Sequence, residues 1–597
     1  MQKVALRLDL PRVTLIGGAS AGGDFVHRTV SSWVGWKRTN FRKDSASIYT
    51  ARLNPATALP LLSPPFELDA DEFTLAHVRD EANRVAEAKA ILAGTKDTHC
   101  SMPGSRQPMV HQARAVGALR ALGWRAILAD EMGLGKSSVA LWAAHDAGAR
   151  RILIVCPATV KRNWIREAEA TLPYERILVD GTPKQRRERW TAARQLLEAD
   201  RAVVLVLNYD LLRRLAAEHV ELLGQFVTRQ ALILDECHYL KNARAERTRF
   251  VLEHLAPQDG GAAVRLALSG TPVRNMVDDL WAQVQCVRPG TWASRSWFIS
   301  RYLKQRRKTI NGRTFFEPIG TQHLDELNRV IQTVLVRRRK DEVLDLPPKV
   351  RTRVDIDLDQ HTAKIYKAMR DLAVVQLQEI DESATIFSPS ARSGLEALLR
   401  CEQIASGFLG GIPEDYIEQI APLLRKAERI PGRPGELIFP NSAKLAWLTE
   451  SIDTIIGQGG RPVVFSRFNA PMFWLSQQWE RAAMLHGGMS SEQRDQVIER
   501  FQQNELRVLF CQVRIAEGFN LTNSQDELFF GRDWSPAINA QAEDRCHRIG
   551  TKGTVNIQIP VVGKTVEELI DRRLASKDAD ARQALKTLTV RELLNQL

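Results

Sequence analysis

The chain has 597 residues, enough at roughly 100 to 200 residues per domain for about three to five folded domains, which excludes a lone small binding module. Hydrophobic residues make up 44% and charged residues 26%, which excludes wholesale disorder and a fibrous repeat. Lys and Arg number 83 against 70 Asp and Glu, a net charge of +13, and such an excess fits a polyanionic partner. No run approaches the ~18 apolar residues of a membrane helix, and Lys3, Arg7, Asp9 and Arg12 stand where a secretory signal needs an apolar core, so a cytoplasmic location is expected. The seven cysteines, at 100, 156, 237, 286, 401, 511 and 546, include no C-x-x-C pair, so no zinc finger or disulfide framework is legible and buried thiols are expected.

Residues 1–60 hold nine Lys/Arg against three Asp/Glu and read as a small basic β-rich domain. In it Trp33, Trp36, Lys37, Arg38, Phe41, Arg42 and Lys43 fit a nucleic-acid reader, and a β-domain that buries both tryptophans fits the same residues. After ALPLLSPPF (Ala58–Phe66) the composition turns acidic, with eight Asp/Glu against four Lys/Arg over 61–100, and 61–105 reads as a helical connector. Over 106–290, apolar runs alternate with helix-patterned stretches: Ala126–Ala129, RILIVCP from Arg151, VVLVLNYD from Val203, ALILDE from Ala231 and RLALSGTP from Arg265. Short apolar runs, each followed by a polar turn and a 3.6-residue period, predict a buried parallel sheet with crossover helices.

Residues 291–350 hold thirteen Lys/Arg against six Asp/Glu, so this stretch and the first 60 residues account for the whole cationic excess. Trp297, Phe298, Arg301, Tyr302, Lys304, Arg306, Arg307 and Lys308 interleave rings with charge, and the stretch closes on Arg337–Lys340. Cations that displace counterions beside rings that stack suit nucleic acid; a solvated helical face with core aromatics fits equally. The interval 291–440 reads as largely helical. The strand pattern returns over 441–575 in PVVFSRF from Pro462, AAMLHGG from Ala482, RVLFCQ from Arg507, ELFFGR from Glu527 and VNIQIPVV from Val555. Between two of these, SSEQRDQVIERF predicts a helix with Ser490 as N-cap, Gln493 in the capping-box position, and Val497, Ile498 and Phe501 on its apolar face. Residues 576–597 read as a C-terminal helix.

The strand Ala126–Ala129 runs into DEMGLGKS, Asp130–Ser137, and then a helix pattern. Gly133 and Gly135 let backbone N–H groups turn toward phosphates, Lys136 reaches the β and γ phosphates, Ser137 ligates Mg²⁺, and the helix N-terminus favours the anion. Asp130 replaces the first glycine of the G-x-x-x-x-G-K-[ST] pattern and is counted with these residues in the nucleotide site. Mg²⁺ also needs a carboxylate and the attacking water an orienting group. Both requirements are met where an apolar strand ends in Asp235 and Glu236: Asp235 would hold the metal, and Glu236 would polarise the water.

Ten ordered segments carry a resemblance to the Swi/Snf-type ATPases of helicase superfamily two: Gln112; DEMGLGKS; CPATVKRNW from Cys156; LNYDLL from Leu207; DECH; SGTPVRN from Ser269; RRRKDEVLDLPPK from Arg337; HGGMSSEQR from His486; AEGFNLT from Ala516; and DWSPAINAQAEDRCHRIG from Asp533. The resemblance implies an α/β fold of two tandem RecA-like (P-loop NTPase) lobes with helical protrusions, beside the small N-terminal accessory domain. It implies ATP and Mg²⁺ between the lobes, Gln112 at the adenine, Gly518 and Gln541 at the nucleotide, and Arg545 and Arg548 as arginine fingers. His238, Ser269, Gly270 and Thr271 would couple the γ-phosphate to lobe movement. Thr159, Asn163, Trp164, Ser466, Arg467, Asn520 and Thr522 would meet nucleic acid. The chain departs from the family at Glu517, Ser535 and Thr551, none of them a catalytic position.

The wording of RRRKDEVLDLPPK is similar to the HepA-related and annealing-helicase branch. What the resemblance implies is an ATP-driven translocase on double-stranded DNA, with forks or single/double-strand junctions as candidate substrates. Protein partners are a candidate role for the N-terminal domain, and a nucleoid-associated location follows if the source is prokaryotic or viral. An RNA or RNA-polymerase-directed motor, and a nucleotide-switched DNA-recognition subunit of a defence or modification complex, are the alternatives.

Overall fold

The structure, a computed structural model, describes residues 3–9, 12–17, 30, 33, 35–39, 47–64, 67–270, 277–310, 313–378, 389–411, 427–433, 435–515 and 519–575. It divides into two compact units, Met1–Val343 and Leu344–Leu597.

The first unit opens with five strands, β1 (Lys3–Asp9), β2 (Arg12–Gly17), β3 (Lys37–Arg38), β4 (Ser47–Arg52) and β5 (Glu67–Asp69), in the order β3-β4-β2-β1-β5. Pairing is antiparallel except between β1 and β5. The two-residue alternation of a strand turns Leu6, Val13, Leu15, Tyr49 and Ala51 to one buried face, where Val78 and Ala82 of the helix Glu72–Ala93 join them. Asp71 caps that helix by accepting from Thr74 N at 2.7 Å. Trp36 is buried, donates its indole N–H to Thr57 O at 3.3 Å, and meets the partly buried Trp33 edge-on with centroids 6.0 Å apart. Trp36 therefore builds the core of this sheet and Trp33 packs against it; Phe41, Arg42 and Lys43 lie outside the described residues.

The larger sheet of this unit contains β6 (Arg125–Leu128), β7 (Arg151–Cys156), β8 (Glu175–Leu178), β9 (Val203–Asn208), β10 (Ala231–Leu234) and β11 (Val264–Leu268). An antiparallel ribbon follows, β12 (Leu303–Ile310) and β13 (Arg313–Thr321), and then the short β14 (Leu335–Val336). The sheet order is β14-β6-β11-β10-β7-β9-β8 and every pair is parallel. Helices cover both faces, which is why the strands read as unbroken apolar runs: Leu153, Val155, Leu232 and Leu234 enter one core, and Ile152, Ile154, Ala231 and Ile233 the other.

In the basic segment, the helix Arg295–Tyr302 buries Phe298 and Tyr302 completely, and Tyr302 donates to Glu326 Oε1 at 2.9 Å. Those rings are core and cannot stack on bases. Lys304, Arg306 and Arg307 stay exposed along β12, and Arg337 and Arg339 are exposed while Arg338 and Lys340 are buried.

The second unit repeats the plan with β15 (Lys349–Ile356), three short antiparallel strands β16 (Phe408–Gly410), β17 (Glu428–Arg429) and β18 (Glu436–Ile438), and then β19 (Val463–Ser466), β20 (Ala482–Leu485), β21 (Val508–Gln512), β22 (Asp526–Phe529) and β23 (Val555–Val562). Its parallel sheet has the order β15-β23-β22-β19-β21-β20. Alternate residues again feed two cores, Val463, Phe465 and Leu509 on one side and Val464, Val508 and Phe510 on the other. The helix Ser491–Gln502 carries the expected capping box, with Ser490 Oγ accepting from Gln493 N at 3.2 Å. The helices Gln360–Gln378 and Pro389–Ala405 supply the helical part of 291–440 within this unit, and 576–597 lie outside the described residues.

Candidate active site

In the first unit β6 ends in the loop Asp130–Gly135, and the helix Lys136–Asp146 begins at once. Gly133 and Gly135 take φ of 90° and 78°, left-handed values open to glycine, and a Cβ on Gly135 would stand 2.2 Å from Gln112 Nε2. A side chain at Gly135 would therefore collide with Gln112, so glycine lets the loop close against it. Lys136 Nζ donates to Asp130 O at 2.8 Å and Glu131 O at 3.1 Å. Ser137 is half-buried in the first helical turn. Gly270 adjoins the loop, its Cβ direction 3.8 Å from Lys136 Nζ, and Ser269 is buried with its N–H on Leu128 O at 3.2 Å. Gln112 is buried and donates to Leu134 O at 3.3 Å while accepting from Met109 N at 3.0 Å. Thr271 lies outside the described residues.

Asp130 corrects one expectation. Its carboxylate is fully buried and bonded to the Arg338 guanidinium, with Arg338 N–H on Oδ1 at 3.0 Å and Nε–H on Oδ1 at 3.1 Å. An acid paired this way holds the loop in position through Arg338, and its carboxylate is already engaged.

Asp235 and Glu236 follow β10, separated from β6 by β11 alone. Asp235 Oδ2 accepts from Trp164 Nε1 at 2.7 Å, Oδ1 accepts from Glu236 N at 2.9 Å, and the carbonyl accepts from Tyr209 OH at 2.7 Å. Burial first, and then the charge of Glu236, push the Asp235 carboxyl up to about 7, with Trp164 and Lys136 pulling the other way. Glu236 holds φ 47° and ψ 56°, a left-handed backbone costly for a residue with a Cβ and of the kind found at functional sites. It is buried, and its Oε2 lies 3.1 Å from His238 Nδ1. Lys136 is near enough to act on Asp235, and a lysine, a helix start with the Ser137 hydroxyl in its first turn, and two carboxylates are the kinds of group that fit a magnesium-bound triphosphate.

In the second unit the segment after β22 forms the helix Pro536–Glu543 and a turn bearing the two arginines. Arg545 is buried, donating Nε–H to Gln541 O at 3.1 Å and NH1 to Phe519 O at 3.3 Å. Arg548 donates to Asp544 O at 2.9 Å and to Asn520 Oδ1. Thr551 accepts from Arg548 N at 3.0 Å and donates to Cys546 O at 2.6 Å, so this departure holds the Arg548 turn. The amide nitrogen of Gln541 is buried with no hydrogen-bond partner among the described residues. Gly518 lies outside them.

The SNF2-related domain family matches residues 111–406, and the helicase conserved C-terminal domain matches 443–550. The chain belongs to the SNF2-type helicase-like ATPases. It is 28% identical over 480 residues to the putative ATP-dependent helicase/translocase YwqA of Bacillus subtilis, covering 77% of this chain and 46% of that protein. It is 26% identical over 471 residues to the DNA annealing helicase and endonuclease ZRANB3 of Bos taurus, covering 76% of this chain and 38% of that one. The chain thus spans less than half the length of these relatives. A solved SWI2/SNF2 ATPase core of Sulfolobus solfataricus in complex with dsDNA is 25% identical, with a TM-score of 0.36 over 82% of this chain and 94% of that one.

The SNF2-type positions expected at nucleic acid separate by burial. Thr159 and Asn520 are exposed, and Asn163 and Thr522 half-buried. Trp164 is 1% exposed and turned to Asp235, and Ser466 is 0% exposed with Oγ accepting from Phe468 N at 3.0 Å, so both side chains are buried within the first and second units respectively. Arg467 is clamped to the buried Glu402, NH1 to Oε2 at 2.5 Å. What sequence reasoning missed is the positioning role of residues that lie in its own motifs: Trp164, expected at nucleic acid, and Tyr209 on Asp235, and Arg338 on Asp130. No local pattern marks them; only the unusual burial of an arginine in a basic run gives Arg338 away.

Among the described residues no helix is long and apolar enough to cross a membrane.

Proposed function

We propose that the protein is an ATP-dependent translocase acting on double-stranded DNA, turning ATP hydrolysis into movement that displaces bound protein or remodels forked or annealing strands. The observation that carries this reading is the placement of Lys136 and the Asp235–Glu236 pair at the carboxyl ends of β6 and β10 of one parallel sheet. Supporting it are the cationic excess of the chain and the DNA-directed names of its relatives.

Lys136 holds two loop carbonyls that a triphosphate would replace as partners, so its ammonium is already aimed along the loop. Ser137 and Asp235 are the residues that would hold Mg²⁺, whose positive charge would offset that of the phosphates. Trp164 and the Glu236 N–H fix both carboxylate oxygens of Asp235 before any ligand arrives. Glu236, strained and beside His238, is placed to take a proton from the attacking water and keep it from bulk solvent. Arg545 and Arg548 are the proposed source of cations for transition-state charge, an effect of ~10³ to 10⁵ in rate where such groups act.

The test is ATP turnover with duplex DNA, single-stranded DNA, RNA or no nucleic acid. Stimulation greatest on duplex DNA is expected, together with ATP-dependent displacement of a triplex strand. Glu236→Gln should lower turnover by about 10²-fold or more while leaving ATP binding intact. Preferential stimulation by RNA would redirect the reading to an RNA motor, and turnover surviving Glu236→Gln would remove the role given to that residue.

A further inference from the structure

The parallel sheet of the second unit ends on one side in β20, four residues with none exposed, and on the other in β15, eight residues bonded only to β23. Val555 N donates to Pro348 O at 3.0 Å and Gly563 N to Ile356 O at 2.9 Å, which sets the even-numbered residues of β15 against β23. In a parallel ladder the N–H and C=O of one residue point the same way, so Lys349, Arg351, Arg353 and Asp355 turn both groups outward. Among the described residues no hydrogen bond takes these outward groups. The usual guards of a sheet edge are a proline, a bulge or a very short strand. None is present in β15, whose register with β23 runs unbroken. Parallel strands ordinarily have both faces covered. Here Val350 is 46% exposed, and Thr352 and Asn556 are exposed on the same side, so one face of the edge is open.

The other face carries the charge. Lys349 Nζ lies 3.2 Å from both Glu543 Oε2 and Asp544 Oδ1, Arg351 NH2 2.6 Å from Glu543 Oε2, and Arg353 NH1 2.8 Å from Asp571 Oδ2 in the helix Val566–Ala575. These pairs leave the side chains of Arg351 and Arg353 51% and 43% exposed beside the unpaired backbone. A strand added to the edge sets alternate side chains beside those two arginines, a position that favours an acid and repels a cation. A second copy of this chain meets that repulsion. Antiparallel pairing brings outward residues opposite one another, and the registers that align most of β15 put Arg353 opposite Arg351 or opposite its own counterpart. We propose that β15 is a docking edge for an extended segment of a partner protein, acidic at alternate positions with β-branched residues between, which joins the six-stranded sheet as one more strand. Its acids lie beside Arg351 and Arg353, and its β-branched residues continue the open face of Val350, Thr352 and Val354. Such docking is independent of the nucleic-acid ligand.

The experiment measures binding of the full chain to a fluorescein-labelled peptide of four Glu-Val repeats, as long as β15, by fluorescence anisotropy, together with amide hydrogen exchange over 349–356. The control peptides are four Lys-Val repeats, which reverse the charge, and the Glu-Val peptide N-methylated throughout, which keeps the charge and loses every backbone donor. Two variants divide the edge the same way. Arg351→Gln/Arg353→Gln removes the charge and keeps the backbone, whereas Arg353→Pro removes an outward N–H and leaves the ladder to β23 in place. The Glu-Val peptide should bind and slow exchange over 349–356, and each variant should weaken it about tenfold. Both control peptides should bind more weakly by about the same factor or more. ATP turnover retained by Arg353→Pro would show that the second unit still folds; if that variant does not fold, the Gln pair and the N-methylated peptide decide. Absence of Glu-Val binding, equal binding of either control peptide, affinity unchanged in the variants, or binding that leaves exchange over 349–356 unaltered overturns the docking edge. A concentration-dependent dimer that Arg353→Pro dissociates overturns it as well, because the edge then belongs to a second copy.

Discussion

Trp164 donates its indole N–H to Asp235 Oδ2 at 2.7 Å from a position 1% exposed. A donor to a carboxylate is worth ~1.5 to 3 kcal/mol, and here it also decides which way the oxygens point. Trp164→Phe keeps the ring and deletes the donor. The Mg²⁺ concentration giving half-maximal ATP turnover should then rise about tenfold or more, with duplex-DNA affinity unchanged. Weaker DNA binding with an unaltered Mg²⁺ response would return Trp164 to the nucleic-acid role that the resemblance implied. Removal of Mg²⁺ by a chelator should abolish turnover in wild type and variant alike.

At the scale of elements, the two-residue strand β14 is held less by its own ladder than by what flanks it. Ile127 N donates to Val334 O at 2.8 Å, Ala129 N to Val336 O at 2.7 Å, Glu131 N to Arg338 O at 3.0 Å, and Arg338 then closes on Asp130. The phosphate loop is thereby tied to the end of the basic run. Asp130→Ala leaves a buried guanidinium without its counter-charge and should cost about 3 to 5 kcal/mol in urea unfolding. The double variant Asp130→Ala/Arg338→Met removes both charges and should recover most of that loss. In the second unit, Ser490→Ala deletes one half of a capping box and should cost about 1 kcal/mol by the same measurement. A loss as large as that of Asp130→Ala would mean that the helix Ser491–Gln502 has a further dependence on Ser490.

Across the whole molecule, buried acids set the response to pH. Glu527 on β22 is fully buried; burial first, and then the charge of Glu543, raise its carboxyl well above the usual range. The folded chain therefore keeps a proton that the unfolded chain releases near pH 4.5, so stability falls as pH rises above that value, by at most ~1.4 kcal/mol per pH unit for one proton. Asp235 acts in the same direction up to about pH 7. Urea midpoints should accordingly decline between pH 5 and 8, and Glu527→Gln, an amide of the same shape, should show a flatter decline. A steeper one would reverse the sign assigned to Glu527.

Much of this is legible in the sequence. Ten of the thirteen strands of the two parallel sheets stand out because a strand buried on both faces must be apolar throughout, a requirement met residue by residue, as in Ile152–Cys156 and Val463–Phe465. The phosphate loop was legible for a similar reason: Gly133, Gly135 and Lys136 act through their own backbone and their own helix. The strands that escaped detection lack that signature. In β15 the residues Arg351, Thr352 and Arg353 are exposed at a sheet edge, β8 exposes Glu175 and Arg176, and β14 is two residues long.

Ten strands of the two parallel sheets and the Gly133–Gly135–Lys136 loop were readable in the sequence alone, because both follow from short-range spacing. Only the tertiary structure decided that Asp130 serves Arg338, 208 residues away, that Trp164 serves Asp235, 71 residues away, and that Ser466, Phe298 and Tyr302 are buried where a nucleic-acid role would need them exposed. Such pairings depend on which strands become neighbours in a sheet, and neighbours are chosen by the packing of all the apolar faces together, a condition that no local pattern of residues encodes.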